Sequence, residues 1–250
     1  MRYFELLHAI HHIETMMKKQ AFVTSLNQEL DKWSYGIKSS TYMQVHDFLV
    51  IKCQMKGLDH AIHPIMPLSS IILPLLSIGQ GHIFITGSFA QRVLDKRSQY
   101  NDIDIFVKSQ AEWEIVKQFA EILSDNEADR FNLRNWPQYK KMEMELISLR
   151  PPHKDDEQKN EAMKLPRIDF VYINEPDLTM KQFFDKYFDL DFCKVGFDGN
   201  IVEITNGLSL IQKKSTYCKD GPPDMDRIMK YVKRGYHITG VEFPPFVDIE

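Results

Sequence analysis

The chain is predicted to adopt an α/β (α+β) fold, with strands in its middle and a helical extension at its N-terminus. Three observations predict this. Apolar residues recur at helical spacing through the first third of the chain. From residue 82 onward, short apolar runs of strand length alternate with a well-capped helix. Near the end of that region, Asp198-Gly199 separates two apolar runs, as in a hairpin turn. The composition, 43% hydrophobic and 26% charged over 250 residues, suits a folded core. We divide the chain into a helical extension (1–66), a core (67–210), and a C-terminal helix with an extended tail packing on that core (211–250).

The elements follow in order. Residues 3 to 33 read as one or two amphipathic helices, because Phe4, Leu7, His11, Glu14 and Met17 trace one stripe and Leu26, Leu30 and Trp33 continue it. "SYGIKSSTYM" interrupts the pattern, and a further helix is expected over about 41 to 55. Gly57, Pro64 and Pro67 mark 57 to 67 as a connection. A buried helix over 68 to 78 ends at Gly79 and Gly81. "HIFIT" reads as a strand, "SFAQRVLD" as a short helix and "DIDIFV" as a second strand. Ser109 and Glu112 form a capping-box pair that starts the helix of "SQAEWEIVKQFAEIL". "MEMELISL" and "RIDFVYI" are strands, "DFCKVGFDGNIVEIT" is the hairpin, and a last helix runs from Asp224 to Tyr236. The polar, proline-bounded segment 150 to 167 carries no periodicity and reads as a surface loop.

Composition also removes several function classes. A net charge of −4 and a pI near 6.1 give no global positive field toward nucleic acid or membrane. Cys53, Cys193 and Cys218 are few, lack metal-type spacing and read as reduced thiols. The N-terminal stretch lacks the apolar core of a signal peptide, and "IMPLSSIILPLLSIG" is too short to span a bilayer. No membrane association is therefore expected. The expected location is cytoplasmic, with the nucleus an open alternative. His8 and His12 have zinc-type spacing on a helix, and His60 and His63 sit nearby in sequence. No Cys or acidic partner accompanies either pair, so both read as solvated side chains.

Asp102 and Asp104 are the informative pair. In a strand they project to one face while Ile103 and Ile105 project to the other. Two adjacent carboxylates on a half-buried strand repel each other and lose hydration, so a compensating cation is expected. Mg²⁺ suits a site of one or two carboxylates plus phosphate oxygens. Asp169 interrupts "RIDFVYI" in the same way. If its strand lies beside the first, three aspartates converge, enough for two metal ions roughly 3.5–4 Å apart. The alternative is an edge-strand salt bridge from Asp169 to Arg167. Gly87-Ser88, where a strand opens into a helix, would offer backbone N–H groups and a hydroxyl to an anion.

An apolar strand, Gly87-Ser88, a short helix, Asp102-Ile103-Asp104 on a strand and the lone Asp169 on a later strand together resemble the polymerase-beta-like nucleotidyltransferase superfamily. The resemblance covers about residues 70 to 175. It implies a small mixed sheet of the nucleotidyltransferase type flanked by helices. The implied activity moves a nucleoside monophosphate from an NTP (ATP among the candidates) to an acceptor hydroxyl, with release of pyrophosphate. Asp102, Asp104 and Asp169 would then be both the metal-binding and the catalytic carboxylates, holding two Mg²⁺ or Mn²⁺ ions, and Gly87 and Ser88 would seat the phosphates.

Around this reading other assignments stay open. In the last helix Arg227, Lys230 and Arg234 form a basic stripe, and Lys230 and Arg234 are candidates for nucleotide binding, with Lys213, Lys214 and Lys219 extending the patch. Arg92 and Arg97 lie between the two motifs with no assigned role. Asp189 and Asp191 form a second Asp-x-Asp, read as turn-adjacent. The acceptor could be RNA, a small molecule, another nucleotide or a protein hydroxyl. The rival function is a catalytically inactive nucleotide- or partner-binding module on the same fold.

Overall fold

The computed structural model describes residues 3–32, 39–58, 68–126, 132–136, 144–150 and 166–243. Expectations for the rest of 57–67, for the loop within 150–167, for His60 and His63, and for most of the C-terminal tail fall outside those residues, as do the side chains of His8 and His12.

Three helices come first: α1 (Tyr3–Asp31), α2 (Ser39–Met55) and α3 (Ser69–Ile78). Where one or two helices are expected, Tyr3–Asp31 is a single long helix. Then follow β1 (Ile83–Thr86), α4 (Gly87–Leu94), β2 (Asp102–Val107) and α5 (Gln110–Asn126). Strands β3 (Asn132–Trp136), β4 (Met144–Arg150) and β5 (Arg167–Ile173) lead to α6 (Met180–Tyr187) and a 3-10 turn at Asp191–Cys193. The chain continues through β6 (Val195–Phe197), β7 (Val202–Ile204), α7 (Gly207–Gln212), β8 (Lys214–Thr216), α8 (Met225–Lys233) and β9 (His237–Thr239). Strand β3 and helices α6 and α7 were not expected from the pattern. Helix α8 is shorter than the stretch Asp224 to Tyr236, because Asp224 caps its start by accepting from the Arg227 amide, and the chain turns at Gly235 with φ +85°.

The fold is mixed α/β. Seven strands form one sheet in the order β3-β4-β5-β2-β1-β6-β7, and β8 pairs with β9 separately. All neighbours in the large sheet are antiparallel except β2 and β5, which run parallel. A parallel pair needs a crossover, and α5 begins it. Ser109 precedes α5 and hydrogen-bonds to Glu112, and Glu112 also takes a salt bridge from Lys56 that ties α2 to the start of this helix. The hairpin turns where predicted: Gly199 has φ +92°, and Asp198 Oδ1 accepts from the amides of Asn200 and Ile201.

Strand alternation divides the core into two layers. Ile83, Ile85, Ile103, Ile105, Ile168 and Phe170 point to one side, where they pack under Leu26, Leu49, Leu75, Phe89, Val116 and Phe119 from α1 to α5. Phe84, Leu146, Val171 and Ile173 point to the other, against Phe183, Phe184, Phe192, Ile228 and Tyr231. Asp102 and Asp104 stand on this second side, beyond the end of its apolar layer. None of the three cysteines is disulfide-bonded. Among the described residues, no helix is long and apolar enough to cross a membrane.

Helix α1 is fastened to α4 by one carboxylate. Glu29, 1% exposed, lies 2.8 Å from Lys32 Nζ, 2.9 Å from Lys96 Nζ and 3.6 Å from Arg92 Nε. Burial raises its pKa, but Lys32 and Lys96 outweigh this, so the net shift is downward. Glu29→Gln should therefore cost about 1–3 kcal/mol in urea unfolding at pH 7. Because the folded pKa is depressed, the wild-type advantage is present above roughly pH 4.3, the unfolded value, and fades as the pH falls through the folded one. Unfolding curves of both proteins at pH 7 and pH 3 check this.

Candidate active site

The parallel pairing of β2 with β5 places Asp104 directly opposite Asp169, and Asp102 opposite Arg167. On the other flank of β2, antiparallel β1 places Thr86 opposite Asp104. The end of β1 and the beginnings of β2 and β5 therefore meet at one end of the central strands. Ligand oxygens of Asp102, Asp104 and Asp169 all lie within 4.8 Å of one another. Asp169 is 5% exposed, whereas Asp102 and Asp104 are half-buried. Strand β5 lies between β4 and β2, so Asp169 is not on an edge strand, although the salt bridge to Arg167 is present.

Gly87 is what allows this crowding. Strand β1 passes into α4 without a loop, and the junction residue adopts φ +73°, a conformation costly to residues with a Cβ. A Cβ on Gly87 would lie 2.4 Å from Asp104 Oδ2. The Gly-Ser turn and the Asp-x-Asp strand are thus in van der Waals contact, and the N-terminus of α4, with buried Ser88 in its first turn, opens beside the carboxylates. Thr86 stabilises the junction by donating to the Val195 carbonyl at 2.6 Å.

The charges are partly compensated from within. Arg167 Nη2 lies 2.7 Å from Asp102 Oδ2 and 2.7 Å from Asp169 Oδ2. Ser148, opposite Asp169 on β4, donates to its Oδ1 at 2.5 Å. Phe106, the next residue of β2 on this face, packs against Phe84, Phe183 and Phe188, so an apolar wall adjoins the carboxylates. Burial, then the charges of Asp102 and Asp169, push the Asp104 pKa up to about 7, against the pull of Arg227 and Arg167. Burial likewise raises Asp169, with Ser148 and Arg167 opposing. The donor set is all oxygen, hard and anionic, and fits Mg²⁺ or Mn²⁺.

Other basic residues fall into place around this cluster. Arg227 enters from α8: its Nε donates to Asp189 Oδ1 at 3.0 Å, its guanidinium lies 5.8 Å from the centre of the Tyr231 ring, and its charge acts on Asp104. Lys230 stands on the same helix and Arg234 is its C-cap, 5.9 and 5.5 Å from the Tyr231 ring centre. Arg92 and Arg97 have structural partners, Arg92 in the Ser98 carbonyl and Arg97 in Asp95 and the Ile211 carbonyl. Asp191 accepts from Asn206, Ser209, Ser215 and the Thr216 amide, which makes it a hub for the C-terminal elements.

Three residues here have contacts that the sequence pattern does not show. Arg167 was considered as a partner for Asp169 alone, although it bridges two aspartates. Ser148 is marked in the sequence only as a lone hydroxyl in the alternating run "MELISL". Arg227 was seen in the basic stripe, but spacing along a helix cannot say which cation faces that end of the strands.

No protein-family model matches the chain, and no curated protein matches it in sequence. Among solved structures it is similar to a CCA-adding enzyme in complex with CTP, at 18% identity and a TM-score of 0.43, over 78% of this chain and 43% of that one. The Thermotoga maritima CCA-adding enzyme complexed with tRNA is similar at 17% identity and a TM-score of 0.42, over 78% of this chain and 42% of that one. A CCA-adding enzyme in complex with ATP is similar at 17% identity and a TM-score of 0.39, over 78% and 41% of the two chains. The matched region thus covers less than half of each of those chains.

Two outcomes follow from the geometry. Gly87→Ala should destabilise the protein by about 1–3 kcal/mol, through the positive φ and the contact with Asp104, as read by urea unfolding. Asp104 acts on stability with the opposite sign to Glu29. Its folded pKa lies above the unfolded value of about 3.9, so between the two the folded state binds more protons. The metal-free protein should therefore melt at higher temperature as the pH falls from 7 toward 5, and Asp104→Asn should flatten that part of the profile.

Proposed function

We propose that the chain is a metal-dependent nucleotidyltransferase that moves a nucleoside monophosphate from an NTP to an acceptor hydroxyl. The observation that carries this is the convergence of Asp102, Asp104 and Asp169 against the Cβ-free turn at Gly87. That arrangement combines a dense anionic oxygen cluster with a helix N-terminus, complementary to divalent cations on one side and phosphate oxygens on the other.

Asp102, Asp104 and Asp169 would hold the divalent cations, Mg²⁺ or Mn²⁺ and two in number. Bound there, such ions neutralise the triphosphate and favour the alkoxide form of the attacking hydroxyl. The chain's own groups do the rest. Gly87 lets the triphosphate approach the backbone, and Ser88 with the first amides of α4 binds its β- and γ-oxygens. Arg227, held in place by Asp189 and Tyr231, acts on Asp104 with its charge, and it meets the negative charge of the triphosphate. Lys230 and Arg234 extend that field outward. Asp169 receives the acceptor's proton as the hydroxyl oxygen bonds to the α-phosphorus. The bond from that phosphorus to the α–β bridging oxygen breaks, and pyrophosphate leaves. Catalysis of this kind is mostly positioning and charge neutralisation.

The acceptor and the base are not encoded in these residues, so the test does not require either. Pyrophosphate release is measured with each of the four NTPs and Mg²⁺ or Mn²⁺. Asp104→Ala should eliminate release while leaving the melting temperature within a few degrees, since it removes a repelling charge. Arg227→Ala should lower turnover by about 10²-fold. Undiminished release from Asp104→Ala would sink the mechanism. Nucleotide-dependent thermal stabilisation without any release would point instead to a binding module on this fold.

A further inference from the structure

Arg167 occupies a position that the proposed chemistry does not use. It lies two residues before Asp169 on β5 and on the same face, opposite Asp102 in the register. A single nitrogen, Nη2, makes both contacts, at 2.7 Å to Asp102 Oδ2 and 2.7 Å to Asp169 Oδ2. An arginine built in for permanent structure commonly spreads its fork over a carboxylate bidentately. Here Nε is buried with no hydrogen-bond partner among the described residues, while the side chain as a whole is 35% exposed. The guanidinium is thus fastened to the site at one end only and has a path to water.

The two oxygens it holds belong to two of the three residues that could share a cation. The other oxygen of Asp169 already accepts from Ser148. A cation bridging Asp102 and Asp169 would meet Arg167 at one carboxylate oxygen of each, and the two positive charges repel at short range.

We propose that Arg167 is a displaceable internal counter-ion. It holds Asp102 and Asp169 in place while the site lacks a divalent cation, and it gives way when one binds. It thereby weakens cation binding by the protein alone and makes occupancy depend on the added negative charge of an NTP. The inference rests on the assignment of Asp102, Asp104 and Asp169 as cation ligands. Arg167 acts through those carboxylates and is a positioning residue.

The test is Mn²⁺ binding to the full chain after chelator stripping, without nucleotide, followed by the electron paramagnetic resonance signal of free Mn²⁺. Arg167→Gln should bind Mn²⁺ about tenfold more tightly than wild type, because a competing charge is gone. Its metal-free form should melt lower than wild type, and saturating Mn²⁺ should raise its melting temperature by a larger increment. Arg167→Lys keeps the charge but loses the fixed planar geometry, and should bind about two- to threefold more tightly than wild type. That variant carries the test if Arg167→Gln does not fold. Binding by wild type that is unchanged or weakened in the Arg167 variants overturns the counter-ion role and leaves the cation site standing. Absence of Mn²⁺ binding in every protein, Asp104→Asn included, overturns the cation site and the counter-ion role together.

Discussion

Everything at this site depends on the parallel pairing of β2 with β5, in a register that sets Asp104 beside Asp169. A side-chain period of two means that a slip of one residue would turn the carboxylates into the core and the isoleucines out of it. The residues that prevent the slip are on the opposite face. Ile103, Ile105, Ile168 and Phe170 are fully buried under the helical layer, and none has an alternative place to go. The hydrophobic effect on one side of the sheet thus sets the positions of charges on the other. A parallel pair also requires a long return path, which α5 begins by packing Trp113, Val116 and Phe119 into the same layer.

The converged carboxylates are costly, and the neighbouring structure shows how that cost is contained. Arg167 spans two of them, Ser148 donates to Asp169, and Arg227 contributes its charge from α8. The aromatic wall of Phe84, Phe106 and Phe183 works in the other direction, since it lowers the local dielectric and strengthens every charge effect. The result is a site that is bound together but incompletely neutralised. A divalent cation and a polyphosphate would complete it, which is why the same residues that strain the metal-free protein support the proposed chemistry.

The elements at the two ends of the chain hold this end of the central strands in place. Glu29 ties α1 to α4, so the helix opened by Gly87 is fixed at its far end by Arg92 and at Lys96 just beyond it. On the other side, Asp189 holds Arg227, and Asp191 gathers Ser209, Ser215 and Asn206 around the 3-10 turn. A second Asp-x-Asp motif in the chain is therefore structural, and its hydrogen bonds distinguish it from the first.

The sequence alone determined the mixed α/β class, most of the helices and strands, and the residues of the carboxylate cluster. These are legible because they follow from local periodicity: Asp102 and Asp104 interrupt a period-two apolar run, Asp169 interrupts another, and Gly87-Ser88 ends a third. Short elements such as α6, α7 and β3 escaped, since their few residues carry too little period and tertiary packing decides their conformation. Only the tertiary structure decided that the three aspartates meet, that Arg167 bridges two of them, and that Arg227 is the helix α8 cation whose charge acts on Asp104. Each of those facts depends on strand order and on the docking of a helix against the end of distant strands. Contacts between residues far apart in the chain leave no periodic trace along it, so the pattern could name the charged groups but not pair them.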